Sequence, residues 1–152
     1  LILTLDYNDL SRTGEMESLL TSTKIPIVMI DHHENPKSYA SLTFSEPEIS
    51  STSEMVYNII SKLDESKIDS NIATCLYTGM MTDTGSFQYN GVNGKTHNTL
   101  SFLLEKGIDH SKIYNKIYAE YFKENLPCRT TIEINCLPTP IAIELKCIAT
   151  ID

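Results

Sequence analysis

The chain has 152 residues, a length that suits one domain or part of one. Its 41 % hydrophobic content is typical of a globular protein, and because no apolar run approaches the ~20 residues of a membrane helix, we expect no membrane partner. The net charge of −8 argues against a large basic surface for duplex DNA, although divalent cations could still supply positive charge for a short phosphorylated substrate.

The chain begins inside a predicted strand, residues 1–5. A domain rarely opens in a core strand, and no initiator methionine or secretory signal precedes this one. We therefore expect a cytoplasmic fragment that lacks its N-terminal part. Asp6 follows the strand, and a carboxylate at such a position costs desolvation unless it is paired or bound to a metal. Asp6 is thus either a metal ligand or a cap of the next turn.

A second strand is predicted by the apolar, β-branched run over residues 25–30. The tripeptide Asp31-His32-His33 comes directly after it. Since ligands bind at the carboxyl ends of strands in open α/β sheets, the tripeptide is a candidate site. The alternative is a polar turn with two solvated histidines.

The loops around these strands add weaker candidates. Arg12 could bind a phosphate through two parallel hydrogen bonds, or it could be a surface residue. An edge strand is predicted over residues 39–44. A short helix over residues 15–21 is expected to turn three apolar side chains inward: Met16, Leu19 and Leu20.

The next helix is predicted to start after Ser51 and to run to about residue 64. Ser51 and Glu54 have the spacing of a capping box. Ser51 and Thr52 have a second interpretation, because a hydroxyl-rich helix N-terminus can bind an anion such as a substrate phosphate. The apolar stripe of this helix is assigned to the core: Met55, Val56, Ile59, Ile60 and Leu63.

Asp69 is predicted to cap a helix over residues 71–82, in which Gly79 allows a close backbone approach. Asp83 follows where this buried element meets a loop, and a short strand is predicted over residues 87–89. The inward side chains are expected to be Ile72, Leu76 and Met80, with Cys75 as a small core residue.

Two more helices are predicted, with Thr96 and Asp109 as their N-caps and Gly107 just after the end of the first. His97 is either a surface residue or a substrate contact. After Leu126 the periodicity stops, and prolines and cysteines crowd the sequence. We expect residues 126–152 to be an atypical tail, either a short β-segment or a product of a shifted reading frame.

Candidate ligands therefore follow three predicted elements: Asp6, the tripeptide 31–33 and Asp83. Carboxylates and neutral imidazole suit Mn²⁺, Mg²⁺, Zn²⁺ or Fe²⁺. Two such cations ~3.5–4 Å apart can activate water and stabilise the leaving oxygen in phosphoryl hydrolysis. Spacing alone does not show that the three positions meet in space, so the residues by themselves predict a candidate metal site and no more.

The order of these motifs resembles the DHH phosphoesterase family over roughly residues 1–125. The resemblance is carried by Asp6, Asp31-His32-His33, Gly79 and the run Asp83-Thr84-Gly85-Ser86-Phe87. The runs 50–55 and 83–87 are similar to the group of bifunctional oligoribonucleases and 3′-phosphoadenosine 5′-phosphate (pAp) phosphatases. This family resemblance implies an α/β fold, namely a parallel-sheet DHH domain with flanking helices. It also implies a phosphoric ester hydrolase that uses two Mn²⁺ ions, or another divalent metal, and acts on short RNA oligonucleotides or pAp. A homodimer is left open.

The resemblance also implies roles for five residues. Asp6 would bridge the two metals, and His32 and Asp83 would bind one of them. His33 would orient the scissile phosphate or assist proton transfer. Asp31 would be a supporting residue that fixes the histidines.

Two parts of the family pattern are expected outside the sequence: a motif with one histidine and two aspartates before residue 1, and a substrate-binding domain after residue 125. We therefore expect a partial DHH domain over residues 1–125 that is inactive or nearly so. Rival assignments are a cyclic-dinucleotide phosphodiesterase, a family II inorganic pyrophosphatase and a non-catalytic α/β binding module.

Overall fold

The computed structural model describes the backbone of residues 1–121 and the side chains of residues 1–117. The predicted boundary at residue 125 and the predicted tail over residues 126–152 lie outside the described residues. No helix within residues 1–121 has the length and apolar character needed to cross a membrane.

A parallel three-stranded sheet forms one part of the structure, in the order β1 (Ile2–Leu5), β2 (Ile27–Asp31) and β3 (Leu42–Ser45). Leu5 pairs with Ile30, and Asp31 pairs with Ser45. The carboxyl ends of β1 and β2 therefore lie side by side. The predicted α/β class with a parallel sheet is confirmed, and β3 is an edge strand as predicted.

Helices connect and flank the strands. A 3-10 helix (Leu10–Met16) leads into α1 (Glu17–Ser22) between β1 and β2. The remaining helices follow β3, with a 3-10 turn (Glu65–Lys67) between the first two: α2 (Thr52–Asp64), α3 (Ser70–Asp83), α4 (Gly94–Glu105) and α5 (His110–Tyr121).

The main apolar core lies among α3, α4 and α5. Its buried members are Ile68, Ala73, Leu76, Tyr77, Met80, Met81, Leu100, Leu103, Ile108 and Ile113. Helix α2 turns Val56, Tyr57 and Ile60 onto this core. The spacing of the buried α3 residues is that of one helical face, as the sequence predicts.

Helices α2 and α3 cross where Gly79 meets Ser53. A Cβ atom at position 79 would lie 3.0 Å from the Ser53 Cβ, and it would overlap the Ser53 hydroxyl. Position 79 therefore has no room for a side chain in this packing. The crossing brings the C-terminal end of α3, and so Asp83, next to the N-terminal end of α2.

Several predicted apolar contacts are wrong. Met16 and Leu19 are exposed, and only Leu20 of the predicted set is buried, since α1 has six residues and packs one side chain inward. Leu63 is also exposed, because α2 presents Tyr57 rather than Leu63 to the core. Cys75 is exposed, since Leu76 and its helical neighbours occupy the buried face of α3.

The predicted strand over residues 87–89 is a turn instead. Gly85, Ser86 and Phe87 have φ values of 55°, 59° and 67°, and three successive left-handed residues cannot extend as a strand. The Thr84 hydroxyl accepts the Phe87 N–H at 3.0 Å and fixes this turn. The Phe87 ring packs against Tyr77.

Two of the predicted caps differ in detail. Asn93, not Thr96, is the N-cap of α4, and Thr96 completes its capping box from the third helical position. Ser51 caps α2 by accepting the Glu54 N–H at 3.1 Å, as predicted. The Glu54 carboxylate does not return to Ser51, because it accepts hydrogen bonds from Ser50 and Thr96.

Candidate metal centre

The ends of β1 and β2 bring Asp6 next to the two histidines. The Asp6 N–H donates to the Ile30 carbonyl at 3.0 Å, which continues the ladder by one residue. The backbone then turns sharply, because Asp6 has a φ of 67°. The Asp6 Oδ1 atom lies 3.7 Å from Nε2 of His32 and 3.6 Å from Nδ1 of His33. Ligand atoms of these three residues all lie within 4.8 Å of one another.

Asp83 reaches the same place from the C-terminal end of α3. Its Oδ2 atom lies 3.9 Å from Nε2 of His32. Nε2 of His32 therefore faces a carboxylate on each side, Asp6 and Asp83. Both carboxylates are partly exposed, so a small ion can reach them from solvent.

The other nitrogen of His32 is fixed by the backbone. Nδ1 lies 3.2 Å from the carbonyl oxygen of Ile49, which can only accept a hydrogen bond. This contact favours the neutral tautomer with the proton on Nδ1, which leaves the lone pair of Nε2 toward the carboxylates. A lone pair and carboxylates that face one another repel, and a divalent cation bound among them would remove that repulsion. Among the described residues, Asp6, His32 and His33 lie close enough together to hold a metal ion, and Asp83 adds a carboxylate beside His32.

Asp31 is fully buried and contacts His33 rather than His32. Its Oδ1 accepts the His33 N–H at 2.6 Å, and its Oδ2 lies 3.1 Å from Nδ1 of His33. The carboxylate orients the ring and favours a proton on Nδ1. Nε2 of His33 is then left as an acceptor for a cation or a proton.

The electrostatics of Asp83 reflect this crowding. Burial is the largest cause that raises the pKa of the Asp83 carboxyl above its ordinary value, and the nearby Asp6 carboxylate adds to it. Three other groups act against this increase and lower the pKa of Asp83: His32, the backbone of Thr52, and His33. The net increase means that the site favours a proton or another cation on its carboxylates.

The four predicted substrate contacts occupy different positions. Thr52 Oγ1 donates to Asp6 at 2.9 Å, so Thr52 belongs to the cluster. Ser51 is fully buried and caps α2. Arg12 is exposed and donates to Asn8 at 3.1 Å. His97 is exposed in the first turn of α4, and no described contact joins it to the cluster.

Two contacts of the site were missed from the sequence. The Ile49 carbonyl that orients His32 is a backbone group, which has no side-chain signature. The hydrogen bond from Thr52 to Asp6 joins residues 46 positions apart in the sequence. The capping pattern around Ser51 predicts where α2 starts, but it does not predict this partner.

The sequence model described as "DHH family, N-terminal domain" matches residues 1–80. The chain belongs to the DHH family. Among curated proteins, this DHH chain is similar to the bifunctional oligoribonuclease and PAP phosphatase NrnA of Bacillus subtilis, with 30 % identity over 94 residues. The match covers 60 % of this chain and 30 % of the relative, so the chain spans about a third of that protein.

A solved structure of an exopolyphosphatase-related protein from Bacteroides fragilis has the same fold. The TM-score is 0.74 and the identity 46 %, over 77 % of this DHH chain and 35 % of the other chain. The chain is also similar in sequence to another curated protein, the chloroplastic reactive intermediate deaminase A of Arabidopsis thaliana, with 32 % identity over 92 residues. It covers 48 % of this chain and 49 % of that protein.

Proposed function

We propose that this chain provides a divalent-metal centre for the hydrolysis of phosphoric esters, with short oligoribonucleotides and pAp as substrates. The observation that carries the proposal is that Nε2 of His32 lies 3.7 Å from Oδ1 of Asp6 and 3.9 Å from Oδ2 of Asp83. Membership of the DHH family and the similarity to a protein named as an oligoribonuclease and PAP phosphatase support the substrate class.

Asp6, His32 and Asp83 would hold the metal, with Mn²⁺ as the proposed ion. Two oxygens and one imidazole nitrogen are a donor set that Mn²⁺ accepts, and Mg²⁺ is the nearest alternative. When bound, the ion supplies Lewis acidity and activates water at neutral pH. Asp6 would also serve a second ion as a bridging carboxylate, a role that the family resemblance implies.

His33 and Asp31 would handle the phosphate and the proton. Asp31 holds the His33 ring through Nδ1, which directs Nε2 outward to orient the scissile phosphate or to transfer a proton. Arg12 and His97 are exposed and remain proposed substrate contacts. Ser51 was predicted with them, but its side chain is fully buried and caps α2.

The first test is Mn²⁺ binding to the purified chain, measured by electron paramagnetic resonance of the free ion. We expect saturable binding that is lost in His32→Ala and Asp83→Ala. The matched control is His110→Ala, which removes an exposed histidine at the start of α5. Equal Mn²⁺ affinity in all three variants would contradict the proposed ligands.

The second test addresses the substrate. A protein that joins this chain to a preceding motif with one histidine and two aspartates should release mononucleotides from RNA of two to five nucleotides, and phosphate from pAp, with Mn²⁺. Inorganic polyphosphate is the competing substrate, because the Bacteroides fragilis protein of similar structure is described as exopolyphosphatase-related. Hydrolysis of polyphosphate alone would overturn the nucleotide assignment while leaving the metal centre intact.

A further inference from the structure

Thr52 contacts the Asp6 carboxylate of the candidate metal centre. It is the first residue of α2 and is only 4 % exposed. Its hydroxyl donates to Oδ1 of Asp6 at 2.9 Å. This hydrogen bond links the N-terminal end of α2 to the carboxylate that follows β1.

The Asp6 carboxylate is not fixed by its own strand. Asp6 lies one residue beyond β1 in a left-handed backbone conformation, and 44 % of its side chain is exposed. The long-range hydrogen bond from Thr52 therefore restricts where this carboxylate points.

Thr52 was predicted from the sequence as a cap or a phosphate contact. A threonine hydroxyl has a single proton to donate, and here that proton is given to Asp6. The hydroxyl that would have to bind a substrate phosphate is therefore engaged by the protein itself.

We propose that Thr52 is a positioning residue that orients the Asp6 carboxylate for a divalent cation. This inference rests on the proposed metal centre. Groups that orient metal ligands through hydrogen bonds typically change metal affinity ~10–100-fold when they are removed. The methyl group of Thr52 also restricts its χ1 rotation, so that the hydroxyl is held toward Asp6.

The test compares Mn²⁺ affinity in Thr52→Val, Thr52→Ser and the unmodified chain by electron paramagnetic resonance. Thr52→Val keeps the shape but removes the hydroxyl, and we expect ~10–100-fold weaker binding. Thr52→Ser keeps the hydroxyl and should restore affinity to within a few-fold. The control is Thr99→Val, which removes a buried hydroxyl from α4 and should leave affinity unchanged.

Melting temperatures of the metal-free variants separate positioning from general stability. Thr52→Val should weaken Mn²⁺ binding, while its melting temperature in the absence of metal stays close to that of Thr52→Ser. A Thr52→Ser chain that binds Mn²⁺ as weakly as Thr52→Val, although both are folded, would overturn the positioning role.

The result also distinguishes this inference from the proposed function. If Thr52→Val binds Mn²⁺ as the unmodified chain does, while His32→Ala does not bind it, the role of Thr52 is wrong and the metal centre stands. If the unmodified chain does not bind Mn²⁺, both proposals fail.

Discussion

His32, a proposed metal ligand, has one ring nitrogen fixed by the backbone. Its Nδ1 atom lies 3.2 Å from the Ile49 carbonyl, which can only accept a hydrogen bond. This contact favours a proton on Nδ1 and leaves Nε2 toward Asp6 and Asp83. A histidine orientated in this way needs no rearrangement to become a ligand.

The contact predicts the tautomer of His32 in the metal-free chain. At a pH where the ring is neutral, we expect Nδ1 of His32 to be protonated and Nε2 to be bare. The two ring nitrogens can be distinguished by long-range ¹H–¹⁵N correlation spectra. His110, which is exposed, is the internal control and should show a mixture of tautomers. A proton on Nε2 of His32 would contradict the arrangement described here.

The identity of the candidate site residues could be predicted from the sequence more readily than the orientation of their side chains. Asp6, the tripeptide 31–33 and Asp83 could be predicted as candidates because each lies at or next to the C-terminal end of a strand or helix, and parallel strands end at one edge. The partners that orient them could not be predicted. The Ile49 carbonyl and the Thr52 hydroxyl act through geometry that depends on how the loop before α2 folds over the strand ends.

At the scale of elements, the crossing of α2 and α3 determines where Asp83 lies. Gly79 is one helical turn before Asp83, and Ser53 is next to Thr52. The two helices approach closely at this point because position 79 has no side chain. The sequence indicated this approach through Gly79, although it did not identify the partner.

This crossing predicts a size-dependent loss of stability. Gly79→Ala places a methyl group on Ser53, and we expect the free energy of unfolding to fall by about 1–3 kcal/mol, the usual cost of overpacking. Urea denaturation measures the loss. Ser53→Gly in the same chain removes the opposing atoms and should restore part of the stability. Gly94→Ala is the matched control, since a Cβ at position 94 meets no atom within 4 Å.

An increase in stability for Gly79→Ala would contradict the close approach, because alanine is otherwise the better helix former by roughly 1 kcal/mol.

The turn after α3 is another element whose structure differs from the prediction. The sequence predicts a strand at residues 87–89, but Phe87 has a positive φ and packs on Tyr77. Local propensity did not reveal a turn that the buried Thr84 hydroxyl holds in place.

At the scale of the whole molecule, the described residues leave the outer strands of the sheet partly open to solvent. Leu3 and Leu5 of β1 and Phe44 of β3 are each more than 40 % exposed, whereas Ile30 of β2, which pairs with Leu5 and Phe44, is buried. Their apolar character led us to predict buried strands, because parallel sheets are usually covered on both faces. The class of fold could be predicted from the sequence, but the packing around this sheet could not.

The candidate metal centre joins the two halves of the described structure, because Asp6 and His32 extend from the sheet and Asp83 extends from the helical half. An ion bound there is held only by the folded chain, so Mn²⁺ should raise the free energy of unfolding. At a free concentration 100 times the dissociation constant, the expected gain is about 2.7 kcal/mol. For a chain of this size, the melting temperature should rise by about 10 °C.

Thermal denaturation monitored by circular dichroism, with and without Mn²⁺, measures this gain. His32→Ala should abolish the increase in melting temperature, whereas His110→Ala should retain it. The net charge of −8 makes this comparison necessary, because Mn²⁺ could also bind weakly to exposed carboxylates elsewhere. Such binding would be weakened strongly by 0.5 M NaCl and would be unaffected by His32→Ala. An increase that survives His32→Ala and disappears in salt would therefore assign the stabilisation to the acidic surface and not to the ends of β1, β2 and α3.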